Sequence, residues 1–215
     1  MKNQEIIEKA TSLGFGYDHH QHDLLMSTAR DIKGVPGIVC EIGLREGGGM
    51  AGMMLVCIDN EDTNRLFLAI DPYGNITHKL SEHDHRKLDY NNDMKCRALK
   101  SFGSFCLDYK INFVHMCLDD LEFFKRFEDG VPTYSEDKYI EENYALVHLD
   151  GPHAVKELID EINFFRSRVS VGGYIVLDDV QGHYDLTPAE QSLLQNGQYS
   201  LVKNDGKKAS YKRVI

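Results

Sequence analysis

Two apolar runs end in acid, Tyr144-Ala-Leu-Val-His-Leu-Asp150 and Gly173-Tyr-Ile-Val-Leu-Asp178-Asp179, downstream of a glycine-rich turn, Cys40-Glu-Ile-Gly-Leu-Arg-Glu-Gly-Gly-Gly49. Apolar runs this short and this continuous suit strands buried on both faces of a parallel sheet. Ligands bind such a sheet outside the carboxyl ends of its strands. The pattern therefore places three carboxylates and a flexible cradle on one rim, an arrangement that points to a site and to a metal.

The rest of the chain alternates strand and helix. Helical spacing over 3–13 and 19–32, with Asp18 placed to cap the second stretch, predicts an N-terminal helical layer before the Gly34-Val-Pro-Gly37 break. Ile38 to Ile42 reads as the first buried strand, Gly49 to Asp59 as the helix after the glycine turn, and Leu66 to Asp71 as the second strand. Residues 72–91 carry turn formers and histidines without periodicity and read as a long surface loop. A helix over 92–109, a strand over 111–117 and a helix over 119–127 follow. Strands at 144–150 and 174–178 flank a helix from Ala154 to Arg168, and an Asn204-Asp205-Gly206 turn predicts a closing hairpin. The expected fold is α/β, a doubly wound parallel sheet with a C-terminal antiparallel hairpin. The expected organisation is an N-terminal helical layer or lid over 1–36 and one main domain over 37–215, since 215 residues bury one substantial core.

Charge narrows the partners. With 24 basic against 34 acidic residues, the formal charge of −10 repels phosphate backbones and anionic lipid, so neither nucleic acid nor a membrane is expected as a partner. No apolar stretch approaches the ~20 residues of a bilayer span, and Met1-Lys-Asn-Gln-Glu5 lacks the apolar segment of a signal peptide. A cytoplasmic protein is expected, with a homo-oligomer left open. The five cysteines show no CxxC spacing, and Cys40, Cys57 and Cys117 fall in apolar runs, where reduced thiols serve as small core residues.

The glycine turn and the second strand carry the first chemistry. Glu41 ends a strand, and Gly43, Gly47, Gly48 and Gly49 let the backbone bend sharply and approach a ligand closely. The spacing is not Gly-x-Gly-x-x-Gly, which weighs against a dinucleotide site, and no Gly-Lys-Ser/Thr follows, which removes a phosphate-binding P-loop. Asp71, at the end of the second strand, is placed to accept hydrogen bonds from the two hydroxyls of a ribose.

Taken together these segments resemble class I S-adenosylmethionine-dependent methyltransferases, in the branch of the macrocin O-methyltransferase-like and cephalosporin hydroxylase-like families. Glu41-Ile-Gly-Leu-Arg-Glu-Gly-Gly is similar to their glycine-rich first motif and Ala69-Ile-Asp71 to the ribose-binding second. Leu149-Asp-Gly-Pro-His153 and Gly172-Gly-Tyr-Ile-Val-Leu-Asp-Asp179 are similar to their fourth and fifth strand motifs. The resemblance implies that Glu41, Gly43 and Gly47 line the methionine part of S-adenosylmethionine and that Asp71 holds its ribose. It implies that Asp119, with Asp120 an equal candidate, lies near the adenine.

The same resemblance gives the acids a role. Asp150, Asp178 and Asp179 are similar to the divalent-metal ligands of metal-dependent O-methyltransferases. Like charges gathered on one rim require either protonation or a neutralising cation, and hard oxygen ligands favour Mg²⁺ or Ca²⁺, with Mn²⁺ as a further option and Mg²⁺ the expected one. Neighbouring strand residues face opposite ways, so Asp178 and Asp179 share an ion only if the strand has ended and turned. The implied reaction is methyl transfer to a hydroxyl of a small molecule, such as a sugar or glycosylated metabolite. His153 and His183, the histidines nearest the acids, are the candidates for the base that takes the hydroxyl proton. Some relatives place an acidic base where this chain has Pro152. A metal-independent methyltransferase acting on nitrogen or carbon, a nicotinamide-dependent oxidoreductase and a non-catalytic cofactor-binding fold remain the alternatives. His19, His20 and His22, and the loop residues His78, His83 and His85, read as solvated surface histidines, and residues 129–143 as a polar insertion.

Overall fold

The computed structural model describes residues 1–16, 22–74, 76–79, 85–87, 90–134, 136–152, 154–180 and 185–215. In chain order the elements are α1 (Asn3–Ser12), α2 (Asp23–Asp31), β1 (Ile38–Ile42), α3 (Gly48–Asp59), β2 (Leu66–Ile70), β3 (Thr77–Lys79), β4 (His85–Lys87), α4 (Asn92–Tyr109) and β5 (Asn112–Met116). There follow α5 (Asp120–Arg126), β6 (Val131–Tyr134), β7 (Lys138–Glu141), β8 (Tyr144–Leu149), α6 (Val155–Phe165), β9 (Val169–Leu177), α7 (Thr187–Leu194), β10 (Tyr199–Asn204) and β11 (Ala209–Arg213).

Seven strands form one sheet in the order β10-β11-β9-β8-β1-β2-β5. The pairs from β5 to β9 are parallel, and β11 runs antiparallel to both β9 and β10. This is the expected doubly wound sheet with its antiparallel hairpin. Every residue of β1, β2 and β8 is buried, because helices cover both faces. One apolar cluster joins α1, α2, α3 and α4 to one face through Val39, Phe67, Leu146 and Val176. A second joins Phe123, Phe164 and Phe165 to the other face through Ile38, Leu68, Val147 and Ile175.

Chain order reverses at β1: β2 and β5 lie on one side of it, β8 and β9 on the other. Such a switch point opens a crevice at the carboxyl ends of the strands. Backbone pairing continues one step past the strands there. The amide of Gly43 donates to Ile70, Asp71 to Met116, Asp150 to Ile42 and Asp178 to Leu149, at 3.0 to 3.2 Å. Gly43, Asp71, Asp150 and Asp178 therefore stand in one row along the rim.

Several local expectations change. Helix α2 begins at Asp23 with His22 as its N-cap, because its run of buried positions, Leu24, Leu25, Met26, Thr28 and Ala29, starts there; Asp18 lies outside the described residues. The 72–91 segment contains the short hairpin β3–β4, and the 129–143 insertion contains the hairpin β6–β7, both made by local antiparallel pairing that carries no long hydrophobic pattern. Cys40 and Cys57 are buried as expected, whereas Cys117, just past β5, is exposed; all five cysteines are free. Among the described residues no helix is long and apolar enough to cross a membrane.

Candidate active site

Alternation along the strands selects what gathers at the rim. Val39, Leu146 and Val176 face the helices α1 to α4, so two residues later Glu41, His148 and Asp178 face the same way, and Asp150 follows His148 by a further two. Glu41 and His148 are register partners on β1 and β8. The His148 ring is completely buried and its Nδ1 lies 2.8 Å from Glu41 Oε1.

A residue from the far end of the sheet completes this group. Lys208 sits in the β10–β11 turn, just before the pairing of Ala209 with Leu177 that brings it beside Asp178. Only 2% of it is exposed, and its Nζ lies 2.5 Å from Asp178 Oδ1 and 3.2 Å from His148 Nε2. An ammonium has no acceptor, so Nε2 must accept from it; the neutral ring then carries its proton on Nδ1 and donates to Glu41.

Burial and these neighbours set the charges. Burial lifts Glu41 to about 8, with Lys208 opposing the rise. Burial and the negative charge of Asp178 push Asp150 well above the usual carboxylate range. Burial opposes ionisation of Asp178 as well, but the Lys208 ammonium and the hydrogen bond from Asp150 win and hold it below its ordinary value. Burial and Lys208 push His148 well below its ordinary value. His22 is buried beside it rather than solvated, and burial with Lys208 drives it down to about 4.

The other expected residues are distributed along the same rim. Gly43 has φ +87°, and a β-carbon there would collide with the Asp150 carbonyl oxygen. Gly47 is the left-handed N-cap of α3, and Gly49 leaves room for the Glu41 carboxylate. Asp71 is 4% exposed and accepts from the backbone amides of Arg45 at Oδ2 and Tyr73 at Oδ1, both at 2.9 Å. Asp119 is exposed and caps α5, accepting from the Glu122 amide at 2.8 Å. Asp120, beside it, is buried against Glu161, and burial raises the pKa of both.

Among the described residues, the group able to ligate a metal is His148, Asp150 and Asp178, whose ligand atoms lie within 4.8 Å of one another. Asp179 follows the end of β9 with φ +52°, a turn that takes it out of the strand alternation. His153 and His183 lie outside the described residues, as do His19, His20 and His83. Neither His148 nor Lys208 figured in the sequence-level site.

A family model described as macrocin-O-methyltransferase (TylF) matches residues 20–198. Among solved structures, the O-methyltransferase NovP is 19% identical, with 90% of this chain and 79% of that chain covered and a TM-score of 0.59. The calicheamicin methyltransferase CalS11 is 14% identical over 98% of this chain and 91% of that one, with a TM-score of 0.62. The SAH-bound Podospora anserina methyltransferase PaMTH1 is 12% identical over 100% and 88%, with a TM-score of 0.55. At these identities the likeness is one of fold. No curated protein sequence matches the chain.

Proposed function

The chain belongs to the macrocin O-methyltransferase (TylF) family and is an S-adenosylmethionine-dependent methyltransferase, and from that premise we propose that it methylates a hydroxyl of a small molecule, a sugar or a glycosylated metabolite. The observation that carries this reading is the row of Gly43, Asp71, Asp150 and Asp178 along the carboxyl rim at the switch point. Two solved structures of the same fold are named for related chemistry, NovP as an O-methyltransferase and CalS11 as a TDP-rhamnose 3'-O-methyltransferase.

S-adenosylmethionine supplies an electrophilic methyl on a sulfonium, which passes to the acceptor oxygen and leaves S-adenosylhomocysteine. The residues of the rim fit that cofactor. Each Asp71 oxygen takes one backbone amide, which leaves a second lone pair on each for the two ribose hydroxyls. Glu41, Gly43 and Gly47 would line the methionine part, and the Asp119 side of α5 the adenine. His153 or His183 would take the hydroxyl proton as the oxygen attacks, since a neutral imidazole suits that task near neutral pH. Holding acceptor and methyl in line is the main service the site performs.

The expected Mg²⁺ does not fit the rim as it stands. Asp150, Asp178 and His148 form a suitable donor set, but the Lys208 ammonium already lies on Asp178 Oδ1 and His148 Nε2. The single Nε2 lone pair is taken, and an ion at ~2.1 Å from Asp178 Oδ1 would stand against the ammonium on the same oxygen, cation facing cation. The second reading, methyl transfer without a metal, is favoured by that contact, and no step here is routed through an ion.

Calorimetric titration of S-adenosylhomocysteine, with NAD as the comparison, tests the proposal. Micromolar binding, about −8 kcal/mol, with no response to NAD is expected and justifies a screen of sugar acceptors. Binding of NAD with silence toward S-adenosylhomocysteine would sink it.

A further inference from the structure

We propose that Lys208 is the resident cation of this rim: its ammonium takes the place a divalent ion would occupy among His148, Asp150 and Asp178, and a metal site opens only when the amine is removed. The location rests on the reading of the rim as the methyl-transfer site, but the claim about the cation is independent of it.

Three observations carry the proposal. The amine touches two of the three ligand residues, at Asp178 Oδ1 and His148 Nε2. The tautomer of His148 is set by that contact, with Nε2 turned to the amine and Nδ1–H to Glu41, so the lone pair that would ligate a metal is already used. Lys208 is not a surface lysine that happens to fold inward. Its backbone amide and that of Lys207 both donate to Asp205 Oδ1, at 2.8 and 2.9 Å, and the Val180 amide donates to the Lys207 carbonyl. These bonds fix the turn against the end of β9 and leave the side chain 2% exposed.

The experiment is Mn²⁺ binding followed by electron paramagnetic resonance of the metal, on metal-stripped wild type, K208M and K208R. S-adenosylhomocysteine binding is measured on the same samples. Wild type and K208R, which keep the charge, are expected to show no stoichiometric Mn²⁺ site below millimolar concentration. K208M removes the charge at similar length and is expected to gain one site at least tenfold tighter, which D178N in the same background abolishes. A wild-type Mn²⁺ site as tight as that of K208M overturns the proposal, and so does a folded K208M that gains none. Should K208M fail to fold, the wild type decides: a saturable site lost in D178N refutes the resident cation, and no binding up to millimolar Mn²⁺ supports it. Failure of the methyltransferase reading would instead appear as loss of S-adenosylhomocysteine binding by wild type, whatever Mn²⁺ does.

Discussion

Gly43 and Asp150 pass so closely, at the ends of adjacent strands, that a β-carbon on Gly43 would run into the Asp150 carbonyl oxygen. The backbone of Gly43 is also left-handed, with φ +87°. G43A therefore carries both a strained conformation and a collision with main chain, which cannot swing aside. Loss of at least ~2 kcal/mol of stability is expected in urea unfolding, with S-adenosylhomocysteine binding weakened tenfold or more. Unchanged stability would mean that the two strand ends separate freely.

Asp71 serves two masters in this arrangement, the turn and the ribose. D71N keeps the shape but replaces one acceptor oxygen with a donor, which then faces the amide of Arg45 or Tyr73. The expected result in calorimetry is at least tenfold weaker S-adenosylhomocysteine binding with little change in NAD response. Full affinity in a folded D71N would remove Asp71 from the cofactor site.

D178N leaves the Lys208 ammonium buried without its carboxylate. Breaking one side of a buried pair costs about 3 kcal/mol, and thermal unfolding near pH 7 should show it. Asp178 is held below its ordinary value in the fold, so its contribution is present above the unfolded value and is lost as pH falls through the lower folded one. The gap between wild type and D178N should accordingly shrink in strong acid. A gap that persists there would have to come from packing instead.

Glu41 supplies the opposite slope. Burial raises it from 4.5 to about 8, so between these values the unfolded chain has released a proton that the fold retains. Its contribution is full below 4.5 and is lost as pH rises through about 8. E41Q cannot titrate, so the stability of E41Q relative to wild type should increase from pH 5 to pH 9 in urea unfolding. Glu161 is raised as well, but it is common to both proteins and cancels in the difference, whereas Asp150 is raised in part by Glu41 itself and contributes in the same direction. A difference independent of pH would show that Glu41 is ionised in the fold.

The strand pattern made most of this architecture readable in advance. Short continuous apolar runs such as Leu66–Ile70 and Tyr144–Leu149 have one comfortable home, between two helical layers, and their terminal acids then fall on one rim without further information. The same alternation that turns Asp150 inward turns His148 inward two residues earlier, and a histidine within Tyr-Ala-Leu-Val-His-Leu was a signal available to sequence reasoning. Lys208 was harder to see. It lies in Asn-Asp-Gly-Lys-Lys, which as sequence describes a solvated turn, and only the register of β11 on β9 carries it beneath the sheet edge. The unbalanced charge of the three acids was the one hint that a cation had to come from somewhere. The β3–β4 and β6–β7 hairpins escaped for a different reason, since strands of three or four residues are too short to show a hydrophobic period.

Strand β11 follows every other strand of the sheet in the chain, yet it lies between β9 and β10. A ribosome releasing this chain exposes the acids of β8 and β9 well before Lys208 emerges, and β9 waits with an open edge that only the later strand closes. Closure of the rim therefore waits for Lys208 and β11 to be made: a chain interrupted before Lys208 retains the glycine turn and Asp71 but neither the closing strand nor its amine. Such a fragment would present an unpaired edge, the feature by which incomplete sheets find wrong partners.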